Sequence, residues 1–359
     1  MRKVLAIFGT RPEAIKLAPV VRACRAHPEL EVKVLVTAQH KEMLYQVLDL
    51  FDIEPDRDLD IMSERQTLPG LSAKLLERLQ AALDEIRPDI VMVQGDTTTT
   101  FIGALSAFYA RVPVAHVEAG LRSGDKSHPF PEELNRVMTS SLTDIHFAPT
   151  ESARRNLLAE GVGDGRIQVV GNTVIDSLKY ILRAGPPKIE ACDPFILVTA
   201  HRRENWGRPI ENLCHAVRAV AERRPDINFI FSVHKNPAAR EPVERLLSSV
   251  PAVNLIDAPD YDEFVHLMDR AQFVLSDSGG VQEEAPALGK PVLIFRRTTE
   301  RPEGIEAGAV KLIGDERAAI ESSVVALLEG GAEYKRMSRT RNLYGDGRAS
   351  ERIAEGIAN

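Results

Sequence analysis

The chain has little cysteine and no long apolar segment, and both shortages limit what it can be. Only three of its 359 residues are cysteines, Cys24, Cys192 and Cys214. Their wide spacing does not suit a metal site and is typical of core residues in a reducing compartment. No apolar run approaches the length of a membrane span. The first residues have the pattern of a strand, so we expect no signal peptide and predict a cytoplasmic protein.

The sequence also lacks an excess of positive charge and the glycine pattern of dinucleotide-binding proteins. Its formal net charge is −7, which argues against general binding to nucleic acid or to an anionic membrane. The segment Gly9-Thr10-Arg11-Pro12-Glu13 follows the first strand, at the place where Gly-x-Gly-x-x-Gly would occur. This disfavours a nicotinamide-dependent dehydrogenase. An anionic ligand would require locally concentrated basic residues, such as Arg11 and Lys16.

Short runs rich in valine and isoleucine alternate with segments of helical period, which predicts an α/β fold of two doubly wound, Rossmann-like domains. Gly185-Pro186-Pro187 interrupts a helical segment near the middle. We predict a first domain at 1–171 and a nucleotide-binding domain at 172–344, with a final helix in 345–359 that returns to the first. Facing sheets would leave a cleft for the site. The predicted strands are Val4–Phe8, Glu31–Val36, Ile90–Gln94, Val114–Val117, Ile145–Ala148, Ile167–Val170, Phe195–Thr199, Ile227–Val233, Val253–Ile256, Phe273–Ser276, Val292–Phe295 and Val310–Ile313.

The stretch from His116 to Arg136 concentrates acids, bases, glycines and prolines in one connection after a strand. Glu118 lies at the carboxyl end of that strand, where open α/β sheets bind their ligands. Glu132 and Glu133 follow Pro131 at the start of the next helix. Loops of this composition carry chemistry more often than they serve packing. At least two carboxylates could therefore converge on one crevice.

Three further polar segments follow predicted strands. Asp96 is placed either to cap the next helix or to line the site. His201, beside Arg202 and Arg203, favours anion binding over a solvated loop. The segment 277–286, Asp-Ser-Gly-Gly-Val-Gln-Glu-Glu-Ala-Pro, combines two glycines with a helix start, which suits a diphosphate. One turn further, Glu284 or Glu283 could accept hydrogen bonds from ribose hydroxyls. The alternative for each is an ordinary turn or cap. The loop at 296–304 could close the site.

Together these segments make the chain resemble the non-hydrolysing UDP-N-acetylglucosamine 2-epimerases nearly from end to end. The matching motifs are Gly9 to Lys16, Gly95 to Thr99, His116 to Arg122, Pro131-Glu132-Glu133, His201 to Glu204 and Asp277 to Pro286. The resemblance implies a glycosyltransferase-B-like fold, a homodimer, UDP-N-acetylglucosamine as substrate, and neither metal nor cofactor. It also implies a final helix that crosses to the first domain.

The resemblance further implies roles for individual residues. The positions that correspond to the catalytic ones of the family are Asp96, Glu118, Glu132 and His201. Those that correspond to the uridine diphosphate site are Arg11, Lys16, Arg136, His201, Ser278, Gly279, Gly280 and Glu284. In some bacterial members a second substrate molecule binds as an activator, and the positions that match its site are Gln39, Arg65, Arg202 and His234.

The implied reaction inverts carbon 2 by eliminating UDP to give 2-acetamidoglucal and adding it back from the other face. Loss of UDP makes the neighbouring proton acidic enough for a carboxylate to remove. Four alternatives stay open at this point. The chain could be a hydrolysing epimerase, an epimerase of a modified UDP-acetamido sugar, a transferase of the same fold, or a non-catalytic nucleotide-sugar sensor.

Overall fold

The structure is a computed structural model that describes residues 1–38, 41–62, 66–185, 193–299, 301–340 and 342–359. Contacts divide the chain into unit 1, which is Met1–Tyr180 with Tyr344–Asn359, and unit 2, which is Ile181–Leu343. The first division lies within a helix, Val174–Ala184, whereas the sequence-based bounds lie at residues 171 and 344. Asn172 belongs to unit 1 by its contacts, since its side chain binds Glu118.

Unit 1 is built on a parallel sheet of seven strands in the order β3-β2-β1-β4-β5-β6-β7. The six strands predicted for this half are all present, each within two residues of its predicted bounds. The additional edge strand, β3, has only two residues, too few to give an apolar run. The strands are β1 Arg2–Phe8, β2 Leu30–Val36, β3 Arg57–Asp58, β4 Ile90–Gln94, β5 Val114–Val117, β6 Ile145–Ala148 and β7 Ile167–Val169.

The apolar composition of the central strands follows from their burial on both faces of the sheet. All five residues of β4 are buried, as are all four of β5, and such strands are near-continuous apolar runs in parallel sheets. Amphipathic helices cover the sheet and complete the core. The helices of this unit are α1 Arg11–Ala26, α2 Lys41–Leu50, α3 Leu68–Ile86, α4 Thr98–Tyr109, α5 Glu132–Leu142, α6 Glu151–Ala159, α7 Val174–Ala184 and the C-terminal α15 Ala349–Ala358.

The C-terminal helix α15 is part of unit 1. Its first amides donate to the carboxylate of Asp176, from Ser350 at 2.8 Å and Ala349 at 3.3 Å. A carboxylate at this end of a helix also interacts favourably with the helix dipole. At the other end, Arg2 Nη1 donates to the carbonyl of Ile357 at 2.6 Å. Both ends of the helix are thereby held to the unit that contains the first strand.

Unit 2 repeats the plan with a parallel six-stranded sheet in the order β10-β9-β8-β11-β12-β13. The six strands predicted for this half are confirmed. The strands are β8 Phe195–Thr199, β9 Asn228–Val233, β10 Val253–Asp257, β11 Val274–Ser276, β12 Val292–Ile294 and β13 Val310–Leu312. The helices are α8 Arg208–Arg223, α9 Pro237–Leu247, α10 Tyr261–Arg270, α11 Gly279–Ala287, α12 Pro302–Glu306, α13 Arg317–Leu328 and α14 Ala332–Arg339.

Each sheet has one point where the strand order reverses direction. In unit 1 this switch point lies between β1 and β4, and in unit 2 it lies between β8 and β11. Connections leave such neighbours towards opposite faces of the sheet, which opens a crevice at the carboxyl ends of the strands. The loops that follow these four strands are therefore the first places to look for a site.

Candidate functional site

Glu118 is a carboxylate held by several side chains at the edge of the unit 1 sheet. It follows β5, its side chain is 7% exposed, and it forms an ion pair with Lys16 of α1. Gln94 Nε2 donates to its Oε1 at 3.0 Å, and Asn172 Nδ2 donates to its Oε2 at 2.9 Å. The backbone of Glu118 is left-handed, with φ of 67°. A non-glycine residue pays free energy for that conformation, which is often found at functional sites.

Asp96 lies at the switch point itself, in the loop after β4. Its Oδ2 accepts from Arg136 Nε at 3.0 Å and from Nη2 at 2.7 Å, and its carbonyl accepts from Asn135 Nδ2 at 2.9 Å. Asp96 does not cap α4, which corrects one of the two roles considered from the sequence. Thr97 is the N-cap, and its hydroxyl accepts from the amide of Thr100. The Asp96 carboxylate is therefore partly exposed and is held by an arginine.

Arg136 is buried and binds two acids at once. Besides Asp96, it donates from Nη1 to Glu133 Oε2 at 2.6 Å. Glu133 in turn accepts from the amides of Ser123 and Gly124, both at 3.0 Å. Burial raises the pKa of Glu133, but these amides and Arg136 outweigh it and lower that pKa. In this structure Arg136 positions Asp96 and the loop after β5.

Two other predicted residues of unit 1 carry no such network. Glu132 opens α5 and is partly exposed, and within the described ranges it forms no hydrogen bond or ion pair. Arg11 opens α1 after β1 and is also partly exposed. Its guanidinium has no partner among the residues that the structure describes. The structure therefore brings Asp96, Glu118, Lys16 and Arg136 into two networks at one sheet edge and leaves Glu132 and Arg11 available to a ligand.

His116 supports the loop that carries Asp96. It lies in β5, is fully buried, and its Nε2 is 2.8 Å from the carbonyl oxygen of Gly95. Burial lowers the pKa of His116 to about 4, although the hydrogen bond to the Gly95 carbonyl acts to raise it. The ring is therefore neutral near pH 7, with the proton of its Nε2 donated to that carbonyl. Sequence reasoning gave this histidine no role, because its acceptor belongs to the neighbouring strand's loop.

Glu13 is a second residue whose role the sequence did not reveal. Although it belongs to α1, its Oε2 accepts from the amides of Gly9 at 3.0 Å and Thr10 at 2.8 Å. Its Oε1 accepts from the hydroxyls of Thr97 at 2.7 Å and Thr100 at 3.1 Å. One buried carboxylate thus ties the loop after β1 to the loop after β4, on the two sides of the switch point.

We expect Glu13→Leu to lower the free energy of unfolding by about 2–5 kcal/mol, because the buried amide of Gly9 and the partly buried amide of Thr10 lose their acceptor. Glu13→Gln should retain most of the stability, since its amide oxygen can accept from the same amides. Urea unfolding of both variants measures the difference. A leucine variant as stable as the glutamine variant would show that the buried amides do not need this acceptor.

The same pair of variants predicts a pH dependence. Burial raises the pKa of Glu13, and this effect is larger than that of its hydrogen bonds, which act to lower the pKa. A raised pKa in the folded state means that the side chain stabilises the fold below its unfolded-state pKa and loses this contribution as pH rises through the folded-state pKa. Glutamine does not titrate. The free energy of unfolding of Glu13→Gln minus that of the native chain should therefore increase from pH 4.5 to pH 7.5, because only the native chain loses stability as Glu13 ionises. A difference that stays constant with pH would contradict the raised pKa of Glu13.

At the switch point of unit 2, His201 follows β8 and Asp277 follows β11. His201 Nδ1 lies 3.0 Å from Asp277 Oδ1, and the Asp277 side chain is fully buried. The sequence predicted His201 as a site residue, and Asp277 was noticed only as the first residue of a motif. The sequence feature that could have revealed this pair is that both residues follow the carboxyl end of a strand. The two strands, β8 and β11, are neighbours in the sheet.

The start of α11 is arranged for an anion. Ser278 is its N-cap, and the Ser278 side chain makes no capping hydrogen bond. A Cβ on Gly279 would lie 2.8 Å from Arg301 Nη1 and 3.4 Å from Arg202 Nη2, so two guanidinium groups approach this glycine. Helix amides, a free hydroxyl and two arginines form a typical phosphate site. Arg301 lies in the loop at 296–304, which the sequence predicts could close the site, but no role was predicted for Arg301 itself.

One turn further along α11, Glu284 is positioned by a tyrosine. Tyr261 Oη donates to Glu284 Oε1 at 2.6 Å, and both residues are buried. Glu284 Oε2 lies 3.7 Å from the position of a Cβ on Gly280. The carboxylate is therefore next to the glycine pair at the helix start. Glu283 instead pairs with Arg301, whose Nε donates to its Oε1 at 2.7 Å. Of the two acids considered for ribose, Glu284 is the one beside the glycine pair.

Two of the four positions suggested for an activator site, Gln39 and Arg65, lie outside the described residues. Arg202 approaches Gly279, as above. His234 follows β9, and its Nδ1 accepts from the amide of Asn236 at 3.0 Å. Burial lowers the pKa of His234, and the neighbouring His201 acts in the same direction. Both described positions of this set thus lie at the carboxyl edge of the unit 2 sheet.

The described part of the chain has neither a metal site nor a membrane-spanning helix. In that part, no group of three or more histidine, cysteine, aspartate or glutamate side chains could hold a metal ion. Across the same residues, no helix has the length and apolar character needed to cross a membrane.

Comparison with known proteins gives a consistent result. A family model described as UDP-N-acetylglucosamine 2-epimerase matches residues 22–358. The UDP-N-acetylglucosamine 2-epimerase of Escherichia coli K12 is 52% identical over 99% of this chain and 98% of its own length. The crystal structure of UDP-GlcNAc 2-epimerase from Neisseria meningitidis bound to UDP-GlcNAc is 46% identical, with a TM-score of 0.92 over 99% of both chains.

A more distant likeness concerns the fold alone. The crystal structure of the glycotransferase of kitacinnamycin is 12% identical, with a TM-score of 0.68 over 99% of this chain and 98% of that one. The two doubly wound units are thus of the glycosyltransferase-B-like type. With matches of about half identity along nearly its whole length, this chain belongs to the UDP-N-acetylglucosamine 2-epimerase family of isomerases.

Proposed function

We propose that this enzyme interconverts UDP-N-acetylglucosamine and UDP-N-acetylmannosamine without hydrolysis, by elimination and re-addition of UDP. The observation that carries the proposal is the pair of carboxylates at one sheet edge of unit 1. Glu118 is held by Lys16, Gln94 and Asn172, and Asp96 is held by Arg136. Inversion of carbon 2 needs proton removal on one face of the ring and proton delivery on the other, and it therefore needs more than one acid or base.

The order of bond changes follows from the acidity of the substrate. The proton on carbon 2 has no adjacent carbonyl, so direct removal would face a high barrier. When the bond from carbon 1 to the diphosphate oxygen breaks, its electron pair leaves with UDP and positive charge develops on the ring. A carboxylate then removes the neighbouring proton, which gives 2-acetamidoglucal. Protonation of carbon 2 from the opposite face and return of UDP complete the inversion. Asp96, Glu118 and the partly exposed Glu132 are the proposed acids and bases.

Unit 2 is proposed to hold the nucleotide part of the substrate. The start of α11, with Ser278, Gly279 and Gly280, is suited to the diphosphate because its amides and the nearby guanidinium groups are preorganised donors. Glu284, oriented by Tyr261, is proposed to accept hydrogen bonds from the ribose hydroxyls. Arg11 and Lys16 correspond to family positions that hold the uridine diphosphate, and they are proposed as further positive charges for it.

Proton NMR in heavy water tests this function directly. The purified enzyme is mixed with UDP-N-acetylglucosamine, without added metal or nicotinamide, and the sugar protons are followed with time. We expect UDP-N-acetylmannosamine that carries deuterium at carbon 2, together with deuterium in the recovered substrate. Both species exchange because the elimination is reversible.

Three other results would contradict the proposal in different ways. Free N-acetylmannosamine with UDP would establish a hydrolysing enzyme. Turnover of a UDP-diacetamido sugar, with no change in UDP-N-acetylglucosamine, would establish a different substrate. Binding of UDP-N-acetylglucosamine without exchange of any sugar proton would indicate a non-catalytic sensor.

A further inference from the structure

Asp277 occupies an unusual position for an acid, since it is fully buried and surrounded by donors. Its Oδ2 accepts from the amides of His201 at 3.1 Å and Arg202 at 3.0 Å, and from Asn205 Nδ2 at 2.9 Å. Its Oδ1 faces the His201 amide at 3.1 Å and His201 Nδ1 at 3.0 Å. Burial raises the pKa of Asp277, but His201, Asn205 and the Arg202 amide outweigh it and lower that pKa. The carboxylate is therefore ionised near neutral pH.

An ionised carboxylate only accepts hydrogen bonds, and this decides where His201 carries its proton. At 3.0 Å from Asp277 Oδ1, Nδ1 must be protonated. The other ring nitrogen, Nε2, is then an acceptor in the neutral ring and a donor only in the imidazolium. A diphosphate offers acceptor oxygens and no donors when it is fully ionised. A neutral His201 held in this way would face the diphosphate with a lone pair.

We infer that Asp277 is a positioning residue that couples nucleoside diphosphate binding to the uptake of a proton by His201. The inference rests on the proposed function only in placing a diphosphate beside His201. When the diphosphate binds, Nε2 gains a proton from solvent and donates it in a hydrogen bond to a phosphate oxygen. Nδ1 remains protonated and bonded to Asp277. The imidazolium formed is then in place to stabilise the charge that develops on the diphosphate as the sugar bond breaks.

The other charged and titratable groups around His201 do not provide a second acceptor for Nδ1. Arg202 and Arg203 adjoin it in the chain, and Arg301 approaches Arg202 at Gly279. His234 follows the neighbouring strand β9 and interacts unfavourably with a charged His201. A bound diphosphate would bring negative charge to these cationic neighbours and favour a second proton on His201. This is why we expect the second proton to arrive with the ligand.

Calorimetric titration with UDP at pH 8, in buffers that differ in ionisation enthalpy, measures the protons taken up. A histidine is ordinarily neutral at this pH. We expect uptake that approaches about one proton per UDP bound, and by linkage a dissociation constant that rises about tenfold per pH unit in this range. Binding without proton uptake by the native enzyme would overturn the inference.

Asp277→Asn provides the sharpest variant. Three donors converge on the Oδ2 position, so the new amide must place its oxygen there and its NH2 group at the Oδ1 position, beside His201 Nδ1. Nδ1 then becomes the acceptor, and the neutral ring already offers a proton on Nε2. We expect this variant to bind UDP with no proton uptake. Uptake equal to that of the native enzyme would overturn the inference.

Two matched variants separate this mechanism from a general disturbance. Asn205→Ala removes one hydrogen bond from Asp277 but keeps its charge, so proton uptake should persist. His234→Asn removes the neighbouring imidazole, and uptake should again persist. Loss of uptake in His234→Asn, with retention in Asp277→Asn, would assign the proton to His234 and refute the role given to His201.

A measurement on the native chain covers the case in which Asp277→Asn does not fold. Nitrogen-15 NMR of the histidine rings at pH 8, with the His201 signals identified by their loss in His201→Gln, reports which nitrogen carries the proton. We expect Nδ1 to be protonated without ligand and both nitrogens to be protonated with UDP. A ligand-free ring with its proton on Nε2 would overturn the inference.

An enzyme that binds UDP in this way but does not epimerise the sugar would refute the proposed function and leave this inference standing.

Discussion

Replacing Glu118 by glutamine is expected to lower turnover of UDP-N-acetylglucosamine by about 10³-fold, within the range of 10²–10⁴ that a positioned general base contributes. Glutamine has nearly the same shape and can keep an oxygen at the Oε2 position for both Lys16 and Asn172, but its amide cannot take a proton from carbon 2. The Michaelis constant should change much less than the turnover number, because the lost interaction acts on the reacting proton. Steady-state kinetics of the variant measure both.

A suitable control is Glu160→Gln, which neutralises another acid of unit 1. Glu160 pairs with Arg122 through two hydrogen bonds of 2.7 Å and has no place in the proposed chemistry. Its turnover should remain close to that of the native enzyme. A Glu118→Gln variant that keeps turnover within tenfold of the native value, or still exchanges the carbon 2 proton at the native rate, would remove Glu118 from the proton-transfer step.

The backbone of Glu118 adds a reason to expect a large effect. Its φ of 67° is costly for a residue with a side chain, and three side chains from three different segments hold its carboxylate. A catalytic group that is oriented before the substrate arrives needs no rearrangement during the reaction. Lys16, predicted from the sequence as a basic residue for an anionic ligand, belongs to this arrangement through its ion pair with Glu118.

The location of these acids was predictable because of the way parallel strands are buried. Strands β4 and β5 are covered on both faces, so they form apolar runs that end abruptly at polar residues. The carboxyl ends of parallel neighbours lie at the same edge of the sheet, which places Asp96 and Glu118 near each other. The error over the helix cap is a shift of one residue, since aspartate and threonine are both good N-caps and the sequence offers them consecutively.

The residues that sequence reasoning missed share a different property. Glu13 accepts a hydrogen bond from the hydroxyl of Thr97, which is 84 residues away in the sequence. Asp277 accepts one from the amide of His201, which is 76 residues away. Such partners are brought together by strand order and by helix packing on the sheet, neither of which a single sequence specifies. His116 has the same explanation, since its acceptor is the loop of the adjacent strand. Spacing along one element predicts the residues at a strand end, but not what supports them.

Gly120→Ala is expected to have the largest effect on stability, a loss of about 3–5 kcal/mol in the free energy of unfolding. Gly120 has a φ of 89°, and a Cβ there would lie 2.3 Å from the carbonyl oxygen of Ala153 and 2.9 Å from Leu157 Cγ. The first of these atoms belongs to the backbone of α6, so a side-chain rotation cannot relieve the overlap. The helix would have to move, and with it the hydrogen bond of 2.9 Å that Asn156 donates to the carbonyl of Gly120.

Gly124→Ala is the matched control, because it separates the two sources of this penalty. Gly124 lies in the same connection and has a similar φ of 78°, but a Cβ there would meet no atom within 4 Å. Its free energy of unfolding should fall only by the cost of placing an alanine in the left-handed conformation, about 1–2 kcal/mol. Urea unfolding of the two purified variants gives the comparison. Equal losses would mean that backbone conformation alone makes residue 120 a glycine and that α6 does not press against it. A much larger loss for Gly120→Ala would assign the glycine to that contact, two residues from the carboxylate on which the proposed chemistry depends.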